Sequence, residues 1–412
     1  MTSHKTLRRR LGVVLTAAAG LAACSDIVTV TNPGPIADAA LTTPDAVPGF
    51  VTGMSGDLSN ALDELVRITG IASDELAHGG SYTGEGLWYR GIIKPEDINS
   101  QWALMQRARW VAESGIERIK ALPGYTYDTD PAAARANLLA GFANRLLGEN
   151  VCRAVFDGGP ATSDSAHFQR AQAYFTEAIR IAQSKNVIDV LTAAYGGRAS
   201  VRASLGDWTG AVADAQQVPA SFVYNALFST NSTREANSLV QETYVRREFT
   251  VFGTQWAQVF NDPRVPWDTI YTSTAKTTVQ KGQDGKTNFF RQRKYPDLGS
   301  DIPLVKGTEM LMLRAEAALR NGDIAGAFTL INQQRAQYKL AALVPPTDLT
   351  AAWQTLEKEY GAVMWLEARR LWQLRRWSAD TGPAHSSFLA GRASCIPISQ
   401  EEQQSNPNLA GG

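Results

Sequence analysis

The chain is poor in the residues that build metal and thiol chemistry. It has three cysteines and four histidines. His4, His78, His167 and His385 lie far apart, and neither His-x-x-x-His nor Cys-x-x-Cys occurs. The spacing therefore gives no zinc site, and no metal or cofactor is expected. The Gly-x-x-x-x-Gly-Lys of a phosphate loop and the Gly-x-Ser-x-Gly of a nucleophile elbow are also missing. Charge of one sign is missing too, with 40 basic against 40 acidic side chains. Phosphate backbones need a basic face, so nucleic acid is not expected as a partner. Acidic neighbours such as Asp74-Glu75 could serve a glycosidase, but with 40 acids such pairs arise by chance. No catalytic residue is assigned, and a binding protein rather than an enzyme is expected.

Long apolar runs are scarce as well. The longest, Leu11 to Ala19, is too short to span a bilayer. It follows Lys5, Arg8, Arg9 and Arg10 and precedes Leu21-Ala22-Ala23-Cys24. That order reads as a lipoprotein export signal over residues 1–23, cleaved before a lipidated Cys24. Acyl chains there would anchor the protein to a membrane without spanning it. Removing residues 1–23 takes four basic side chains and no acid, leaving 36 against 40. Cys152 and Cys395 then remain. In an oxidising compartment such a pair is a candidate disulfide, with two separate buried thiols as the alternative.

Residues 24–43 are Pro-rich and read as a tether. A single domain is expected over 44–412. Thr43-Pro44 opens a first helix running to about residue 67, with Leu58, Leu62, Leu65 and Val66 at helical spacing. Residues 68–100, with Gly79-Gly80, Gly84, Gly86 and Pro95, read as loop rather than core. Helical periodicity returns over about 100–121, 131–150, 166–184, 189–205 and 208–217. An irregular insertion occupies 220–305, with strand-like runs near Tyr244–Phe252 and Asn288–Lys294. Helices follow at 306–321, 323–338 and 350–377. Trp102 and Trp110, eight apart on one helix, read as core. So does the stripe Trp353, Leu356, Tyr360, Met364, Ala368, Leu371 and Leu374. Arg369, Arg370, Arg375 and Arg376 read as a solvated or salt-bridged face.

Residues 198–211 (RASVRASLGDWTGA) and 314–327 (RAEAALRNGDIAGA) repeat one another. Small residues let two helices approach. Gly206 and Gly322 end the first helix, and Asp207 and Asp323 cap the second. Such pairs resemble tetratricopeptide units. The fold class is therefore mainly α, a tetratricopeptide-like helical repeat scaffold with a loop-rich region and few short strands.

Several short segments occur in a telling order. They are Val30-Thr31-Asn32-Pro33, Thr43-Pro44-Asp45-Ala46, Leu205-Gly206-Asp207-Trp208, Asn261-Asp262-Pro263-Arg264 and Lys294-Tyr295. Next come Glu309-Met310-Leu311-Met312-Leu313-Arg314-Ala315-Glu316-Ala317 with Gly322-Asp323, then Ile331-Asn332 with Arg335. Glu367-Ala368-Arg369-Arg370-Leu371-Trp372-Gln373-Leu374-Arg375-Arg376-Trp377 follows. The tail holds Ile396-Pro397-Ile398 and Asn406-Pro407-Asn408-Leu409. In this order, behind a lipidation signal, they resemble the SusD/RagB family. The resemblance implies a surface-exposed lipoprotein of the cell outer membrane. Such a protein captures a nutrient, an oligosaccharide or other oligomer, for a partner SusC-type TonB-dependent transporter. A scaffold lipoprotein of outer-membrane assembly is the alternative reading of the repeats. At 412 residues the chain is short for the family, which implies trimmed ligand-facing insertions. Sugar rings bind flat apolar faces framed by a few polar groups. On that ground Tyr82, Trp88 and Tyr89 of the glycine-rich segment are candidate ligand contacts, as are Trp256 and Trp267, with Tyr271, of the insertion.

Overall fold

A computed structural model describes residues 42–379 and 387–409. The signal segment, Cys24 and the tether as far as residue 41 lie outside them. Residues Pro44–Ala46 form one 3-10 turn. From Val47 onward the chain is one compact unit, and it is mainly helical. Among the described residues no helix is long and apolar enough to cross a membrane.

The helices form antiparallel neighbours because each carries one apolar stripe that only another helix can cover. Helix α1 (Val47–Ala72) buries Leu58, Leu62, Leu65 and Val66. The short α2 (Thr83–Tyr89) and then α3 (Asn99–Lys120) follow. α3 packs on α1 and on α4 (Pro131–Asn150). α4 pairs with α5 (Ser165–Lys185), α5 with α6 (Ile188–Ser204), and α6 with α7 (Trp208–Ala215). After the irregular stretch, α8 (Gly307–Arg320) packs on α7 and on α9 (Ile324–Gln337). α10 (Leu349–Val363) lies against α8.

The two repeat copies fold alike. Gly206 and Gly322 both take positive φ, 83° and 75°. The Asp207 amide bonds the Arg202 carbonyl at 2.9 Å, and the Asp323 amide bonds the Ala318 carbonyl at 2.9 Å. Each aspartate then accepts from the glycine amide three residues on, Gly210 at 2.9 Å and Gly326 at 2.8 Å. Asp323→Ala is expected to lower stability by about 1 kcal/mol and Asp207→Ala by a similar amount, while Asp323→Asn loses little. Urea unfolding measures this, and an unchanged midpoint for both alanine variants would refute the capping role.

Two expected boundaries are corrected. The helix expected over 350–377 is broken. α10 stops at Val363, Leu366 and Ala368 take positive φ, and α11 (Arg370–Ser378) starts afresh. The break is supplied with partners from elsewhere. Lys306 donates to the Val363 carbonyl, Lys294 to that of Trp365, and Tyr295 to that of Leu366 at 2.9 Å. The Leu366 amide donates to Glu75. The stripe from Trp353 to Leu374 is core throughout. Segment 68–100 is not simply loop. It contains α2, and Leu76, Trp88, Ile93 and Ile98 lie in the main core.

Sheet structure is sparse: four antiparallel two-stranded pairs are described. β1 (Ala77–His78) pairs with β5 (Phe249–Thr250), and β2 (Arg153–Ala154) with β3 (Thr162–Ser163). β4 (Val223–Ala226) pairs with β8 (Ile302–Lys306), and β6 (Trp267–Thr269) with β7 (Phe290–Gln292). Cys152 and Cys395 form a disulfide. It closes the tail onto the end of α4, where the Ile396 amide donates to the Asn150 carbonyl at 2.7 Å.

Candidate functional site

The insertion assembles an aromatic ladder at the surface. Trp267 of β6 stacks on Phe290 of β7, with centroids 5.0 Å apart and planes 3° from parallel. Phe290 meets the edge of Phe252 at 5.1 Å. Phe260 leans on Trp267 at 5.3 Å and is 68% exposed. The indole N–H of Trp267 is consumed by the carbonyls of Trp256 and Val259, at 3.1 and 3.0 Å. Its ring is therefore fixed in orientation rather than free to turn.

Phe260 stands between two clefts. One, of about 570 Å³, is lined by Phe260, Asn261, Trp267, Asp268, Thr269 and Arg293 among others. The other, of about 670 Å³, lies on the far side of the same loop and reaches Arg335, Lys358 and Glu359. Asn261 takes φ 59°, turning the chain so that Phe260 is thrust outward. Asp268 pairs with Arg291 at 3.0 Å and Arg293 at 3.3 Å, which places a charged rim beside the rings. Beneath, the buried Arg264 donates to Asp262, Glu359 and Gln334. Burial works against an ionised Asp262, but the hydrogen bonds and charge of Arg264 hold its pKa below the usual value. Asp262-Pro263-Arg264 thus ties the aromatic loop to α9 and α10. This arrangement of fixed ring faces with a polar border can hold a flat, polyhydroxylated molecule.

The remaining sequence candidates divide by helical phase. Tyr82 and Tyr89 flank α2 seven residues apart, so they share one face about 10 Å long, and both are 37% exposed. Arg246 donates to the Tyr82 hydroxyl at 2.7 Å. Trp88 is 3% exposed and belongs to the core. Trp256 is 1% exposed, with its ring under the Arg370 guanidinium. Both indoles expected as ligand contacts are thus buried rather than open, with Trp256 bordering the larger cleft. Tyr271 is partly exposed. Trp110, expected in the core, is also corrected. It is 56% exposed and lines a separate cleft of about 380 Å³ with Arg107, Asp157 and Glu402. Eight residues advance a helix by about 80° beyond two turns, enough to carry Trp110 off the face that buries Trp102.

Phe260 escaped the sequence reading. Its signal is the Asn-Asp-Pro that follows it, a turn that leaves a preceding aromatic ring outside. Of the two readings of Arg369, Arg370, Arg375 and Arg376, solvated or salt-bridged, the salt-bridged one holds. Arg369 and Arg370 are buried, paired with Glu149 at 2.7 Å and Asp74 at 2.8 Å. Arg375 pairs with Asp164 and Arg376 with Glu316.

Residues 235–410 match the model of the SusD family. No curated protein sequence matches the chain. Among solved structures, the fold is similar to a SusD-like carbohydrate binding protein from Bacteroides vulgatus. Identity there is 15%, covering 89% of this chain and 97% of that one, with a TM-score of 0.68. It is also similar to surface glycan-binding protein A from Bacteroides thetaiotaomicron in complex with laminarihexaose, at 14% identity, 89% and 99% coverage and a TM-score of 0.67. A laminarin binding SusD-like protein matches at 12% identity, 89% and 98% coverage and a TM-score of 0.66. Identities this low speak for the fold alone. The family match covers the C-terminal residues 235–410, and over its body the chain shares the fold of SusD-like proteins.

Proposed function

We propose that the protein is a glycan-binding lipoprotein of the outer membrane that passes its ligand to a SusC-type TonB-dependent transporter. The observation that carries the binding half is the exposed Phe260–Trp267 face beside a cleft edged by Asn261, Asp268 and Arg293. Tyr82 and Tyr89 offer a second apolar strip. Similar folds whose described ligands are laminarin and laminarihexaose support a glycan over a peptide. On this reading residues 1–23 are removed, Cys24 carries the acyl chains, and residues 24–43 tether the body to the membrane. The transporter half rests on the SusD-family match of residues 235–410. The binding face needs no chemistry beyond capture, so the protein is read as a carrier and not an enzyme.

Phe260 is the residue to test because it is exposed and its loss leaves the core intact. Phe260→Ala is expected to weaken the best ligand on a glycan array, laminarin oligosaccharides included, about tenfold, equivalent to about 1.4 kcal/mol. Trp110→Ala is expected to leave affinity unchanged. Calorimetry with the same glycan reads both, and equal affinities for Phe260→Ala and wild type would remove the ladder from the site. For the transporter half, the native protein is to be isolated from detergent-solubilised outer membranes. A stoichiometric TonB-dependent barrel is expected. Recovery of barrel-assembly factors in its place would favour the scaffold reading.

A further inference from the structure

The geometry points to a divalent-metal site of the zinc class formed by His78, Glu85 and Glu248. These residues come from β1, from α2 and from the residue before β5. One donor atom from each lies within 4.8 Å of the other two. A tetrahedral ion with bonds of about 2.0–2.2 Å holds its donors about 3.4 Å apart. Reaching that spacing from 4.8 Å asks the donors to close by about 1.4 Å.

Three further observations mark a built site. First, two donors are buried and unpartnered. Glu85 is 6% exposed and its Oε2 has no hydrogen-bond partner, and neither has the buried Nε2 of His78. The Tyr82 backbone holds the His78 ring through a hydrogen bond, the kind of outer support that orients a ligating imidazole. Second, Glu248 is deliberately admitted. Ser81 donates to it through its amide at 2.7 Å and its hydroxyl at 3.2 Å. A Cβ on residue 80 would sit 1.7 Å from the Glu248 Oε2, so only glycine leaves room for that carboxylate. Third, the charge is unbalanced. Glu64, Glu85, Glu242, Glu248 and Asp284 surround the spot, against Arg67, Arg246 and Arg90. Arg67 lies 3.5 Å from Glu85, but on its other oxygen, Oε1.

The donor set selects the metal. One imidazole with two carboxylates suits Zn²⁺, whereas Ca²⁺ and Mg²⁺ take oxygen ligands. Such an ion would pin α2 to the β1–β5 pair and so fix the Tyr82–Tyr89 strip. That consequence rests on the glycan reading, but the metal site does not.

The full chain, without a polyhistidine tag, is stripped with a chelator and titrated with Zn²⁺ by calorimetry. One Zn²⁺ per chain is expected. Glu85→Gln and His78→Ala are each expected to weaken it at least tenfold, with Ca²⁺ in excess failing to compete. Circular dichroism checks that the variants are folded, and the near-isosteric Glu248→Gln gives a third, gentler substitution. Absence of Zn²⁺ binding, or binding that all folded variants retain, overturns the site. Displacement of Zn²⁺ by Ca²⁺ overturns the assignment of metal class. Glycan affinity is measured separately on the same samples, so a failed metal site and a failed glycan site are told apart.

Discussion

Glu367→Ala is expected to destabilise the protein by about 3–5 kcal/mol, because it strips the shared counter-ion from two enclosed ammonium groups. Glu367 is 1% exposed, and its Oε1 accepts from both Lys294 and Lys306. Burial opposes its ionisation, but the two lysines hold its pKa below the ordinary carboxylate range. Neither lysine can retreat to water without giving up the carbonyls of Val363 and Trp365 that it also bonds. Chemical denaturation reads the loss. A change under about 1 kcal/mol would mean that water enters the site and screens the pair.

The neighbouring Glu75 is predicted to behave in the opposite way. Burial pushes its pKa up to about 8, and its Oε1 accepts the Leu366 amide. A carboxyl whose folded pKa lies above its unfolded value favours the folded state at low pH. Its contribution falls away as pH rises from about 4.5 to about 8, at about 1.4 kcal/mol per unit. Glu75→Gln removes that slope. The variant is expected to match wild type near pH 5 and to exceed it at pH 8. Charge from Lys294 acts on Glu75 too, so in Glu367→Ala an ionised Glu75 partly replaces the lost anion. The double variant therefore loses more than the two single effects combined, and a thermodynamic cycle measures the excess. Strict additivity would show that the two carboxylates do not share the lysines.

This cluster also explains what could and could not be read in the sequence. Local signals were sufficient for α4, read at residues 131–150 and found as Pro131–Asn150. They were sufficient for the Gly-Asp caps at 206–207 and 322–323, since a cap is settled within three residues. The break at 364–368 was invisible because its partners, Glu75, Lys294 and Lys306, lie far away in the chain. Local propensity favours continuing the helix there, and tertiary partners for the freed backbone groups override it. Aromatic content located the surface rings only coarsely. Tyr82, Trp88 and Tyr89 are close in sequence, yet the step of about 100° between neighbouring helix positions turns Trp88 inward and leaves Tyr82 and Tyr89 exposed. Trp256 and Trp267 are likewise joined through a carbonyl, yet Trp256 borders the larger cleft at only 1% exposure while Trp267 lines the cleft beside Arg293. His78, Glu85 and Glu248 carried no spacing motif, because the strand pair β1–β5 is what unites them.

Removing the disulfide is expected to have an effect of similar size and to act through the unfolded chain. Cys152 and Cys395 are 243 residues apart. Closing so long a loop is worth about 5 kcal/mol in the chain-entropy treatment. For a body of this size that corresponds to a fall of about 6 °C in thermal midpoint. The native tail has independent holds. The Cys152 amide donates to the Ile396 carbonyl at 2.9 Å, and Asn406 and Asn408 donate to the Gly159 and Gly158 carbonyls at 3.0 and 2.7 Å. Ile396 is fully buried. The tail of the Cys152→Ser, Cys395→Ser double variant is therefore expected to stay docked, with the fold retained and only the melting temperature lowered. Wild type in reductant should melt with the double variant, and the double variant should not respond to reductant. Hydrogen exchange at Ile396 separates the two ways this can fail. Fast exchange in the double variant would show that the covalent link, and not the packing, holds the tail on α4. A wild-type midpoint indifferent to reductant, with two thiols open to alkylation in the folded protein, would show that the bridge does not form.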